Sequence, residues 1–147
     1  MRFSGIFLFI FQVLFALVAG TFFYMLAVVM TVYDGILSMI FQPIMGGIFS
    51  TIAIIFLLII GLPIRLNHKL NHWWRMHWWL CCLLGAIGFI CMILSYMPPF
   101  QITVYDDILK QNTQSFNPIL SIGGWLFLLF ALLHFYFPPI HRTAIDT

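Results

Sequence analysis

Apolar and polar positions alternate along this chain in long blocks. Four apolar stretches, at about 3–32, 43–62, 77–97 and 118–137, are separated by short polar intervals. Crossing the hydrocarbon core of a bilayer takes roughly 20 apolar residues, so each stretch predicts a transmembrane helix. The first, broken only by Ser4, Gln12 and Thr21 before Thr31, exceeds a minimal span and is expected to tilt or to begin in the interface. It is also much longer than the apolar core of a secretory signal, which runs to about 15 residues.

The polar intervals suggest an orientation. Arg2 precedes the first stretch, Arg65, Lys69 and Arg75 lie between the second and third, and Arg142 follows the fourth. The opposite side carries only Lys110, together with Asp34, Asp106 and Asp107. Cytoplasmic loops carry an excess of Lys and Arg, so both termini and the central interval are expected in the cytoplasm. That interval also holds Trp73, Trp74, Trp78 and Trp79. Tryptophan gathers at membrane–water interfaces and basic side chains meet anionic headgroups. The surface formed by Arg65, Lys69, Trp73, Trp74, Arg75, Trp78 and Trp79 is therefore a lipid contact or, alternatively, a docking face for a partner, since Trp and Arg also dominate protein interfaces.

A repeat organises the same blocks. The sequence TVYDGIL occupies 31–37 and TVYDDIL occupies 103–109. Each is followed by Gln42-Pro43 or Asn117-Pro118, then by Gly46-Gly47 or Gly123-Gly124, an apolar span, and Pro63 or Pro139. The shared order predicts two parallel helical hairpins related about the membrane normal, one over about 3–64 and one over about 77–140, joined by a linker at about 65–76. Asn117 suits a helix N-cap and Pro118 the first helical position, with Gln42-Pro43 as a weaker version of the same start. The trailing prolines are expected to end each helix, and the four glycines to let helices approach closely. Tyr33 and Tyr105 would sit at headgroup level, with Asp34 and Asp106 capping a short segment on the outer face. The expected fold is an all-α, four-span integral membrane protein in a single domain.

Composition sharpens this reading. The 147 residues are 63% hydrophobic and only 7% charged, against about 25% charged in soluble domains. A formal charge of +2, without a basic polar surface, gives no reason to expect nucleic acid as a partner. Cys81, Cys82 and Cys91 lie within one apolar stretch, which suits small buried hydrophobes better than a disulfide framework.

Candidate chemistry is sparse. No charged residue falls near the middle of a stretch, where one would mark a proton or ion path. No nucleophile–base set and no pair of carboxylates inside a span is present, and no enzymatic activity is expected. Gln12 and Gln42 are expected to make hydrogen bonds between helices. His68 and His72 are spaced to share a helix face, and His77 and His134 fall at similar depth. The latter pair could ligate a haem or approach a quinone headgroup; interfacial side chains beside tryptophan are the alternative, and no cofactor is expected. Three functions follow. The first is a non-catalytic multi-pass subunit assembling with itself or with larger membrane proteins. The second is a small transporter or pore, and the third a haem- or quinone-binding subunit.

Overall fold

The computed structural model describes residues 3–29, 36–106 and 110–135. These form α1 (Phe3–Val29), α2 (Ile36–Leu66), α3 (His68–Met76) and α4 (Trp79–Leu94), a short 3-10 turn at Pro98–Phe100, strands β1 (Ile102–Asp106) and β2 (Gln111–Ser115), and α5 (Pro118–His134). The chain is mostly helical, and α1 and α2 are each long and apolar enough to cross a membrane. A third crossing is formed if α3 and α4, bent by 69° at their junction, make one broken span. The described part of α5 is a shorter apolar helix of 17 residues.

Helix α5 lies at the centre. Ala16 of α1, Ala53, Ile54 and Leu57 of α2, and Met92 of α4 are buried with Trp125, Leu129 and Leu133 of α5. Helix α1 also meets α4 directly, where Phe23 packs edge-on against Phe89. Trp125 is held by two contacts: Nε1 donates to the Gly20 carbonyl at 2.9 Å, and its ring meets Tyr24 edge-to-face with centroids 5.4 Å apart. Large apolar side chains cover the outside, including Phe7, Phe11, Ile44, Ile52 and Ile119. Lipid tails are as apolar as leucine, so close packing and internal hydrogen bonds would hold such a bundle together in a bilayer.

The tightest packing is between α4 and α5. A methyl group added at Gly88 would lie 2.5 Å from the Gly124 carbonyl oxygen and 2.9 Å from the Leu128 nitrogen. One added at Gly124 would collide with the Gly88 carbonyl and approach the Met92 backbone to 3.0 Å. Backbone rests on backbone at this crossing, and only glycine fits on either side. Each end of α5 is also tied down. Asn117 is the N-cap, its side chain accepting from Ile119 and Leu120 amides, and Pro118 follows it as expected. The Asn117 amide in turn donates to the Ser95 carbonyl at 3.0 Å, fixing the start of α5 against the end of α4.

Three sequence expectations change. First, Pro43 and Pro63 lie inside α2 and neither starts nor stops it. A membrane helix tolerates proline because neighbouring groups can satisfy the carbonyl that loses its donor. Asn67 ends α2 instead: its backbone turns extended, and its side chain accepts from the Lys69 and Leu70 amides to cap α3. Second, the fold is not purely helical. The second TVYD copy forms β1, paired antiparallel with β2 from Ile102↔Ser115 to Asp106↔Gln111. Asp106 therefore ends a strand; the segment from Asp107 that it was expected to cap, like Tyr33 and Asp34 of the first copy, lies outside the described residues. Third, the glycine pairs are not equivalent. Gly46 packs on Thr21 and Tyr24, and Gly124 on α4, whereas Gly47 and Gly123 have nothing within 4 Å of an added methyl. The inward glycine is the first of one pair and the second of the other, so the repeated features do not keep the same packing roles.

Candidate functional site

The most elaborate polar arrangement surrounds the C-terminal turn of α5. The last carbonyls of a helix lack partners within it, and in apolar surroundings each unpaired one is costly. Here the donors come from four other helices. Gln12 Nε2 of α1 donates to the Leu132 carbonyl at 2.9 Å. Arg65 Nη2 of α2 donates to Leu133 at 3.1 Å. Trp74 Nε1 of α3 and Cys81 Sγ of α4 share the His134 carbonyl, at 2.9 Å and 3.1 Å. The guanidinium thus meets the negative end of the α5 dipole, and it also sits 4.8 Å from the Phe9 ring centroid in a cation–π contact.

His134 completes the cluster. Its side chain is fully buried, and its ring stacks on Phe130 at 4.2 Å between centroids. Nδ1 lies 3.0 Å from the Phe130 carbonyl. A carbonyl only accepts, so Nδ1 carries the proton and Nε2 presents a lone pair. Nε2 faces Gly61 of α2, where an added methyl would overlap it. Trp74 packs edge-on against the other partner of the stack, Phe130. The absence of a side chain at Gly61 is what lets an imidazole lie flat between α2 and α5.

His77 lies in different surroundings. Its ring stacks on Trp73 at 4.6 Å, and Nδ1 is 2.8 Å from the Trp73 carbonyl. In this arrangement an iron at His134 Nε2 would require α2 and α5 to part, since that nitrogen faces Gly61. The His134 ring packs between the two helices, and its backbone carbonyl belongs to the α5 clamp. Among the described residues no group of three His, Cys, Asp or Glu is placed to hold a metal ion.

The basic and aromatic residues between α2 and α4 divide into two sets. Arg65 and Trp74 face inward and hold the end of α5. Lys69, Trp73, Arg75, Trp78 and Trp79 are exposed, with Trp78 edge-on to Phe135. At the other end Tyr105 is exposed on β1. Sequence reasoning identified Gln12 as an interhelical donor but missed Cys81, Gly61 and Gly88. The only cue for Gly88 was the Gly85–Gly88 spacing, which brings two small residues toward one helix face. Compared with known proteins, the chain matches no protein-family model, no curated protein and no solved structure.

Proposed function

We propose that the chain is a non-catalytic, multi-pass membrane subunit that crosses the bilayer four times, through α1, α2, α4 and α5, and assembles with itself or with a larger membrane protein. At 1.5 Å per residue, the 16 residues of α4 and 17 of α5 extend about 24–26 Å, close to the roughly 30 Å hydrocarbon core. The turns at residues 95–97 and the neighbouring interfacial aromatics make up the difference. The α3 end, with Lys69 and Arg75, is assigned to the cytoplasm and the β-hairpin to the opposite side, following the positive-inside rule.

One observation carries the assembly reading. On the outward side of α2, Gly47 is open and Thr51, one turn on, folds its hydroxyl back onto the Gly47 carbonyl at 2.7 Å. Exposed Ile44, Ile48 and Ile55 flank this small, flattened patch. Small residues four apart on a lipid-facing helix are where another helix approaches closely. The transport reading gains nothing comparable within one chain, because Trp125, Leu129 and Leu133 fill the centre.

The test is the mass of the protein extracted in mild detergent, for wild type and for Gly47→Leu. A wild-type assembly that falls to the single-chain mass in the variant supports the reading. A wild-type protein that runs strictly as a partner-free single chain overturns it.

A further inference from the structure

Among the described residues, α3 is the one strongly amphipathic helix. Asn71 is buried and Trp74 reaches the α5 terminus, so this side faces the bundle. The exposed side carries two strips at helical spacing. His68, His72 and Arg75 form one; Lys69, Trp73 and Met76 form the other, with Leu70 beside it. The 69° bend into α4 turns α3 away from the direction of the spans. A helix with an apolar strip of Trp, Met and Leu beside a basic strip is suited to the headgroup layer. Lysine there can lay its stem along apolar surface while its charge reaches water.

Charge decides what it meets. No acidic residue occurs between positions 35 and 105, so the helices on either side of α3 offer Lys69 and Arg75 no carboxylate. Arg65, which the sequence grouped with them, is instead engaged with the Leu133 carbonyl and the Phe9 ring.

We propose that α3 lies in the headgroup layer and is a selective contact for anionic phospholipid, with Lys69 and Arg75 meeting the phosphate groups and Trp73 and Met76 resting at the acyl boundary. This rests on the membrane-spanning reading above, and extends it from a bilayer in general to a lipid class. Each basic side chain near an anionic membrane surface favours it about fivefold, and the effect falls with ionic strength.

The test reconstitutes the full chain into phosphatidylcholine vesicles containing a minor fraction of lipid brominated near the headgroup. The brominated lipid is either phosphatidylglycerol or phosphatidylcholine, and the readout is tryptophan quenching. Stronger quenching by brominated phosphatidylglycerol is expected, reduced severalfold in Lys69→Gln/Arg75→Gln and by high salt. Equal quenching by the two lipids overturns the selectivity and leaves the membrane reading standing. No quenching by either overturns the placement of α3 in the headgroup layer, as a protein-covered surface would. A preference that survives both the double variant and high salt overturns the assignment to these two side chains. If the double variant misfolds, the salt dependence of the unmodified protein still decides between these outcomes.

Discussion

The α4–α5 crossing makes the sharpest quantitative prediction. In Gly124→Ala the new methyl group collides with the Gly88 carbonyl and comes within 3.0 Å of both the Met92 nitrogen and Cγ. Two of these atoms are backbone, so no rotamer change relieves the contact and the helices must separate. Separation also loosens the fit between Gly85 and Ala131, where an added methyl on Gly85 would lie at an ordinary 3.4 Å. Overpacking a close-fitted site costs about 1–3 kcal/mol. Alanine returns at most about 1 kcal/mol of helix propensity relative to glycine. With the full propensity return the net loss is about 0–2 kcal/mol, and the upper half of that range is expected because the colliding atoms are backbone. Gly123→Ala is the internal control, since it makes the same chemical change one residue away with nothing within 4 Å. Both variants should be unfolded by titration of mild-detergent micelles with sodium dodecyl sulfate, followed by tryptophan fluorescence. Gly124→Ala should unfold at lower denaturant, and Gly123→Ala at the wild-type midpoint or slightly above. Equal stability of Gly124→Ala and wild type, or equal losses in the two variants, would refute the close backbone approach.

Three further substitutions probe the ends of α5 and the hairpin. Gln12→Leu leaves the Leu132 carbonyl without the donor seen at 2.9 Å; interhelical hydrogen bonds in membranes average about 0.6 kcal/mol and reach about 1.7, so a small drop in the same titration is expected. Asn117→Ala removes the cap that accepts from the Ile119 and Leu120 amides and should cost about 1 kcal/mol. Lys110 sits at φ 50°, a left-handed conformation that disfavours a side chain by about 1–2 kcal/mol. Lys110→Gly should therefore slow hydrogen exchange of the β1–β2 amides while leaving the midpoint of bundle unfolding unchanged.

The apolar blocks were legible because α1 and α2 need no partner-facing pattern to reveal them: nearly every residue is apolar. The start of α5 was equally legible, since an Asn-Pro pair before an apolar run leaves little else for Asn117 to do. The hairpin was misread for a physical reason. Ile102, Thr103, Val104 and Tyr105 are all strand formers, but the likeness of 103–106 to 31–34, which join two apolar spans, points equally to a helical hairpin turn. Glycine facing could not be read either. Which member of Gly46-Gly47 or Gly123-Gly124 turns inward depends on the rotation of each helix about its axis, and an all-round apolar helix gives no stripe from which to infer it. The clamp on α5 was hidden for another reason: Gln12, Arg65, Trp74 and Cys81 are far apart in sequence and meet only because each donor reaches a neighbouring carbonyl of one helix end.

The central claim is that α4 and α5 cross the bilayer, placing α3 and the β-hairpin on opposite sides. Site-directed cysteines test this most directly: His72→Cys on α3 and Thr113→Cys on β2, each with Cys82, the exposed native thiol, replaced by serine. In intact cells, a membrane-impermeant maleimide should label the Thr113→Cys protein and should label the His72→Cys protein only after the membrane is permeabilised. Labelling of both positions from the same side, in intact or in permeabilised cells alone, would contradict the four-span account.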